Sequence, residues 1–103
     1  MTHPELVSKL KQGDRTAFPI LVEATQDMVY NTALGIVQDA MEAEDITQEV
    51  FVTVFEEIKN FNASSTLKTW LYRITINKSL DNEKKIRRLK HGGLLQRVFG
   101  MTD

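Results

Sequence analysis

The chain has 103 residues, enough for one domain with a single modest core. It contains no Cys, which excludes disulfides and thiolate metal sites and fits a reducing compartment. Its net charge of −1 hides a polarity: residues 1–60 carry eleven acidic against four basic side chains, a net of −7, and residues 61–103 carry nine basic against three acidic, a net of +6. Such asymmetry points either to two partners of opposite preference or to two solvated faces that attract each other within the fold. The N-terminal MTHPELVSKL has no basic n-region and no long apolar run, so no signal peptide is expected. No apolar run approaches the ~20 residues that span a bilayer, and the expectation is a soluble cytoplasmic protein without membrane insertion.

In chain order, Pro4 suits a first helical turn, and Leu6, Val7 and Leu10 share a face. A short helix over Pro4 to Gln12 is expected to end at Gly13. Asp14 or Thr16 can cap the second helix. Pro19 has no N–H and must lie in that helix's first turn, which favours Thr16. Apolar residues from Phe18 to Val37 then recur at spacings of three and four, predicting a long amphipathic helix whose last turns Gly35 weakens. Asp39 and Glu42 stand at capping-box spacing and open a third helix, expected to reach Asn60. Ala43, Ile46, Val50, Val54 and Ile58 form its apolar stripe, widened by Phe51 and Phe55. The run VFVTVF looks strand-like by propensity, but its length and Glu-rich flanks favour helix. Phe61 to Ser65 reads as a loop, and Ser65 or Thr66 can cap a fourth helix over Leu67 to Leu89. Leu67, Leu71, Ile74 and Lys78 share one of its faces, and His91-Gly92-Gly93 is expected to end it. Leu94 to Asp103 then forms one or two further turns or a tail. With no convincing strand, the fold class is all-α: a compact bundle of three main helices plus a short N-terminal one.

Asp45, Gln48 and Glu49 fall at i, i+3 and i+4, hence on one helical face. That face is either solvated or a docking surface for basic protein, and apolar Val52 and Phe55 beside it favour docking. No His stands near enough to complete a metal site, and no metal is expected. On the fourth helix, Arg73 can contact phosphate or pair with the acidic third helix. Asn77 can bond a base edge, and Trp70 is either a stacking platform or a core anchor. Lys84, Lys85, Arg87, Arg88 and Lys90 put five bases among seven residues, more than a helix C-terminus requires. A phosphate-backbone role is the better reading. His3 and His91 are isolated, and no P-loop or triad spacing occurs, so neither a catalytic site nor a cofactor is expected and the chain does not read as an enzyme.

The run DAMEAEDITQEVFVTVFEEIKNF, a short polar loop and LKTWLYRITINKSLDNEKK together resemble region 2 of bacterial RNA polymerase sigma factors of the extracytoplasmic-function group. The cores of the likeness are Ala43-Glu44-Asp45-x-x-Gln48-Glu49-x-Phe51 and Trp70-Leu71-Tyr72-Arg73-Ile74-x-x-Asn77, in order and at the family's spacing. Asp14-Arg15-Thr16-Ala17-Phe18 resembles the start of that domain. The resemblance implies a sigma region 2-like bundle that recognises and melts the promoter −10 element in transcription initiation. It implies that Asp45, Gln48, Glu49, Phe51 and Phe55 dock on the clamp helices of the largest polymerase subunits. It also implies that the loop Asn62, Ala63, Ser64, Ser65 and Thr66, with Lys68, Trp70, Arg73, Asn77 and Lys78, binds the non-template strand. An anti-sigma factor is a further expected partner. Residues 1–90 would form this domain, and 91–103 the start of an inter-domain linker or a tail, without the region 4 domain that reads the −35 element. The alternative is an interaction module or adaptor that binds polymerase, or an anti-sigma regulator, without melting DNA.

Overall fold

Three of the four α-helices begin where a short polar side chain takes up a free backbone N–H. The computed structural model describes residues 2–62 and 64–99, with the backbone alone over 94–99. Thr2 opens α1 (His3–Lys11), its hydroxyl accepting from the Glu5 N–H at 3.4 Å. α1 closes in a Schellman turn. The Gly13 N–H donates to the Leu10 carbonyl and the Asp14 N–H to the Lys9 carbonyl, with Gly13 at φ +78°. Glycine adopts that backbone without a Cβ penalty.

Thr16 precedes α2 (Ala17–Val37) as expected, but its hydroxyl does not cap the helix. Instead the Asp14 carboxylate accepts from the Thr16 hydroxyl at 2.7 Å and from the Thr16 N–H at 2.9 Å. Those two bonds, with a smaller pull from the charge of Lys9, hold the Asp14 carboxyl below its ordinary value. α2 ends at Gln38, left-handed at φ 54°, whose N–H donates to the Leu34 carbonyl at 2.8 Å. One residue later Asp39 caps α3 (Ala40–Glu57), accepting from the Glu42 N–H at 3.0 Å. α3 tightens into a single 3₁₀ turn, Ile58–Asn60. Of the two candidate caps for α4 (Leu67–Phe99), Thr66 is the one used: its hydroxyl accepts from the Thr69 N–H at 3.1 Å.

α2, α3 and α4 pack pairwise around one core, and α1 lies against α2 and the 3₁₀ turn. Ala43, Ile46, Val50 and Val54 of α3 and Ile58 of the 3₁₀ turn are all buried, facing a centre that includes Leu21, Val29 and Leu71. Fully burying each large aliphatic side chain contributes about 1.5–3 kcal/mol. No strand occurs among the described residues, so the all-α bundle with a short N-terminal helix is the observed architecture.

Two expectations for α4 need correction. The helix does not stop at His91-Gly92-Gly93 but continues to Phe99. Glycine terminates a helix by taking a left-handed backbone, and neither Gly92 nor Gly93 has positive φ. Each costs about 1 kcal/mol relative to Ala, a penalty the helix absorbs without breaking. Residues 100–103, the rest of the expected tail, lie outside the described residues. The inward face is also displaced. Its fully buried line is Leu67, Leu71, Thr75 and Ser79, while Ile74 and Lys78 are half-buried. The Thr75 and Ser79 hydroxyls donate to the Leu71 and Thr75 carbonyls, each at 2.7 Å. A hydroxyl satisfied within its own helix acts as a small core group. The molecule measures 58 × 24 × 22 Å, and α4 with its 33 residues is about 50 Å long. Its second half therefore extends past the bundle.

Candidate nucleic-acid interface

The loop before α4 is suspended between two buried residues, Phe61 and Leu67. Phe61, read from sequence as part of the loop, is only 4% exposed and packs on Trp70 with ring centres 5.1 Å apart and planes tilted by 45°. Trp70 is half-buried, so it anchors the loop stem on one side and keeps an accessible side as well. Within the loop, the Asn62 side-chain carbonyl accepts from the N–H and the hydroxyl of Ser64. This is an Asx turn, which gives the loop a shape of its own. The Thr66 hydroxyl is committed to capping α4 and donates to the Thr69 hydroxyl at 3.0 Å. Ser65 is half-buried and Lys68 exposed. Ala63 lies outside the described residues.

Arg73 and Asn77 are exposed one turn apart on the outward side of α4. Their face continues in helical register through Lys84 and Arg88, and Lys84, Arg87 and Arg88 share a shallow depression with Asp81. From Trp70 to Arg88 this face runs about 27 Å. Lys78 is placed differently. It lines a cleft with Asp45, Gln48, Glu49 and Val52 of α3, so the acidic face and the basic helix meet at this side chain. Lys85, two turns further on, falls on the same side of the helix.

On α3, Asp45, Gln48 and Glu49 are exposed side by side. Val52 beside them is 58% exposed and Phe55 67%. Phe55 therefore does not widen the core, although Phe51, 7% exposed, does. Phe55 is nonetheless held in place. Its ring meets that of Phe18 edge-on at 5.5 Å, and Phe51 also meets Phe18 edge-on at 6.4 Å. Phe18, Val22, Phe51, Val52 and Phe55 line an apolar groove of about 420 Å³ next to the acidic face. Phe55 is thus an exposed aromatic in ring contact with the bundle and adjacent to charged groups.

Tyr72, 47% exposed on α4, and Leu80, 45% exposed, were not singled out by sequence reading. Pattern alone assigns an aromatic or a leucine to the core by default. Only the true inward line through Thr75 and Ser79 shows that both point away from it. No helix among the described residues is long and apolar enough to cross a membrane.

Residues 21–90 match the Sigma-70 region 2 family. The chain belongs to that family. Relatives of this Sigma-70 region 2 chain include the RNA polymerase sigma-H factor of Pseudomonas aeruginosa, 40% identical over 73 residues. The match takes in 71% of this chain and 38% of the relative. The ECF RNA polymerase sigma factor SigW of Bacillus subtilis is 34% identical over 79 residues, 77% of this chain and 42% of the relative. The chain thus spans well under half the length of these curated relatives. Among solved structures, an engineered region 2 of sigmaE in complex with GTAAAA superimposes with a TM-score of 0.72 at 28% identity. That likeness covers 95% of this chain and 94% of the other.

Proposed function

We propose that this region 2 domain works in transcription initiation, docking on core RNA polymerase and recognising and melting the promoter −10 element. The observation that carries the reading is the pairing of two oppositely charged faces on one rigid bundle of the region 2 fold. Asp45, Gln48 and Glu49, with Phe55 as the apolar anchor and Phe51 behind it, dock on the clamp helices of the largest polymerase subunits. The loop Asn62 to Thr66, with Lys68, Trp70, Arg73 and Asn77, takes the non-template strand. Lys84, Lys85, Arg87 and Arg88 neutralise backbone phosphates, and Lys78 stands at the seam of the two surfaces. Contacts to an extruded base offset the few kcal/mol that unstacking costs. No step in this role requires a cofactor or a catalytic side chain. The site of action is the cytoplasm, where the polymerase works, and an anti-sigma factor covering either face would silence the domain.

Binding of a fluorescent GTAAAA single strand, compared with a scrambled strand across a salt series, tests the DNA role. We expect preference for GTAAAA and a log–log salt slope of about −0.7 for each phosphate neutralised. A flat salt response with no preference between strands would remove it.

A further inference from the structure

α1 reaches both ends of the loop that precedes α4. At one end the His3 imidazole Nε2 accepts from the Leu67 N–H at 3.1 Å, a bond between residues 64 positions apart. At the other, the Lys11 ammonium lies 6.0 Å from the centre of the Phe61 ring, within cation–π range. Phe61 and Leu67 are the two buried residues from which the loop hangs. Leu67 is the first residue of α4, so its N–H has no acceptor inside the helix. Thr66 serves the Thr69 N–H, two residues further in, and His3 supplies the acceptor that the loop itself does not. The place of His3 is in turn fixed by the Thr2 cap and by the packing of α1 against α2 and the 3₁₀ turn.

From this geometry we infer that α1 braces the loop, and that His3 is a positioning residue for capture of the single strand. The inference rests on the reading of the loop as the DNA-binding element. A loop whose stems are free must be ordered when its ligand arrives, and that entropy is subtracted from affinity. With Phe61 held beneath Lys11 and Leu67 tied to His3, both stems are fixed beforehand. His3 itself touches no DNA in this role; it acts through the Leu67 N–H.

The test uses the full chain and the variants His3→Ala and His3→Gln, with circular dichroism to establish that each folds. Two quantities are measured: hydrogen exchange of the Leu67 amide without DNA, and affinity for the GTAAAA single strand. His3→Ala should speed Leu67 exchange about tenfold and weaken strand binding about fivefold, the scale of one lost hydrogen bond. The Gln side-chain carbonyl can accept from the same N–H, so His3→Gln should restore most of both. Unchanged strand binding in His3→Ala, or an equal loss in both variants, overturns the positioning role. Unchanged Leu67 exchange in His3→Ala overturns the brace itself. Failure of the unaltered chain to bind the strand overturns the DNA reading and this inference with it, even where Leu67 exchange responds as expected.

Discussion

The Asp14 carboxylate accepts two hydrogen bonds from Thr16 in the short connection between α1 and α2. Its pKa is held low in the folded chain, which sets the sign of a pH effect. A depressed carboxyl contributes stability above its unfolded value, near 3.9, and loses it as pH falls through the folded value. Thermal melts should therefore place Asp14→Ala below the unaltered chain at neutral pH, with the two converging in acid. A constant gap across the series would assign the difference to something other than the carboxylate. Phe55 gives the complementary case. With its ring 67% exposed, Phe55→Ala should lower stability by less than about 1 kcal/mol. The same change should weaken binding to core polymerase about tenfold, as loss of an interface anchor does. Asp45→Ala and Gln48→Ala should also weaken binding, with helix content intact by circular dichroism. Unchanged polymerase binding in all three variants would take the docking role away from α3.

Among the elements, α3 was the most legible, and α4 shows why the rest was not. In α3 the buried stripe of Ala43, Ile46, Val50 and Val54 keeps three and four spacing behind an Asp cap, so pattern and packing coincide there, and only Phe55 of the expected apolar face is exposed. In α4 the deepest positions include Thr75 and Ser79, which a hydrophobicity pattern assigns to the surface. Their hydroxyls are satisfied by carbonyls of their own helix, a solution visible only once the helix exists. A Thr in this line also fixes how closely α4 can approach its neighbours. Thr75→Leu should cost about 1–3 kcal/mol by overpacking. Thr75→Val should stay within about 1 kcal/mol, because the Leu71 carbonyl keeps its backbone bond. Urea midpoints with unchanged slope would measure both, and equal costs for the two would show that the hydroxyl, not the volume, matters there. The end of α4 was misread for a related reason. Gly-Gly stops a helix only by turning left-handed, and here it remains helical. At the candidate site the residue types on the acidic and basic faces were readable from spacing. The placement of Lys78 beside Asp45 and the bond from Leu67 to His3 were not, since both join residues far apart in sequence.

For the whole molecule, the charge polarity of the two chain halves becomes a spatial one. The acidic surface is presented by α3 and the basic surface by the outward side and projecting end of α4. Replacing Lys84, Lys85, Arg87 and Arg88 together with Ala should flatten the salt slope of strand binding by up to about 2.8 units. Polymerase binding through α3 should be unaffected, and combining this variant with Phe55→Ala should give additive losses in the two separate assays. Strong coupling between them would mean that the two surfaces do not act independently.

The continuity of α4 ties its two ends together in angle as well as in distance. An unbroken helix turns about 100° and advances about 1.5 Å at every residue. The azimuth that Arg87 and Arg88 take around the axis is thus dictated by where the bundle sets Arg73 and Asn77. One alanine inserted after Glu83 would swing the distal cations about a quarter-turn around the axis while leaving their number and the bundle unchanged. Seven inserted residues would bring them back to within about 20° of their starting azimuth, some 10 Å further out. The domain is in this sense a goniometer, and the core imposes the setting of its basic end.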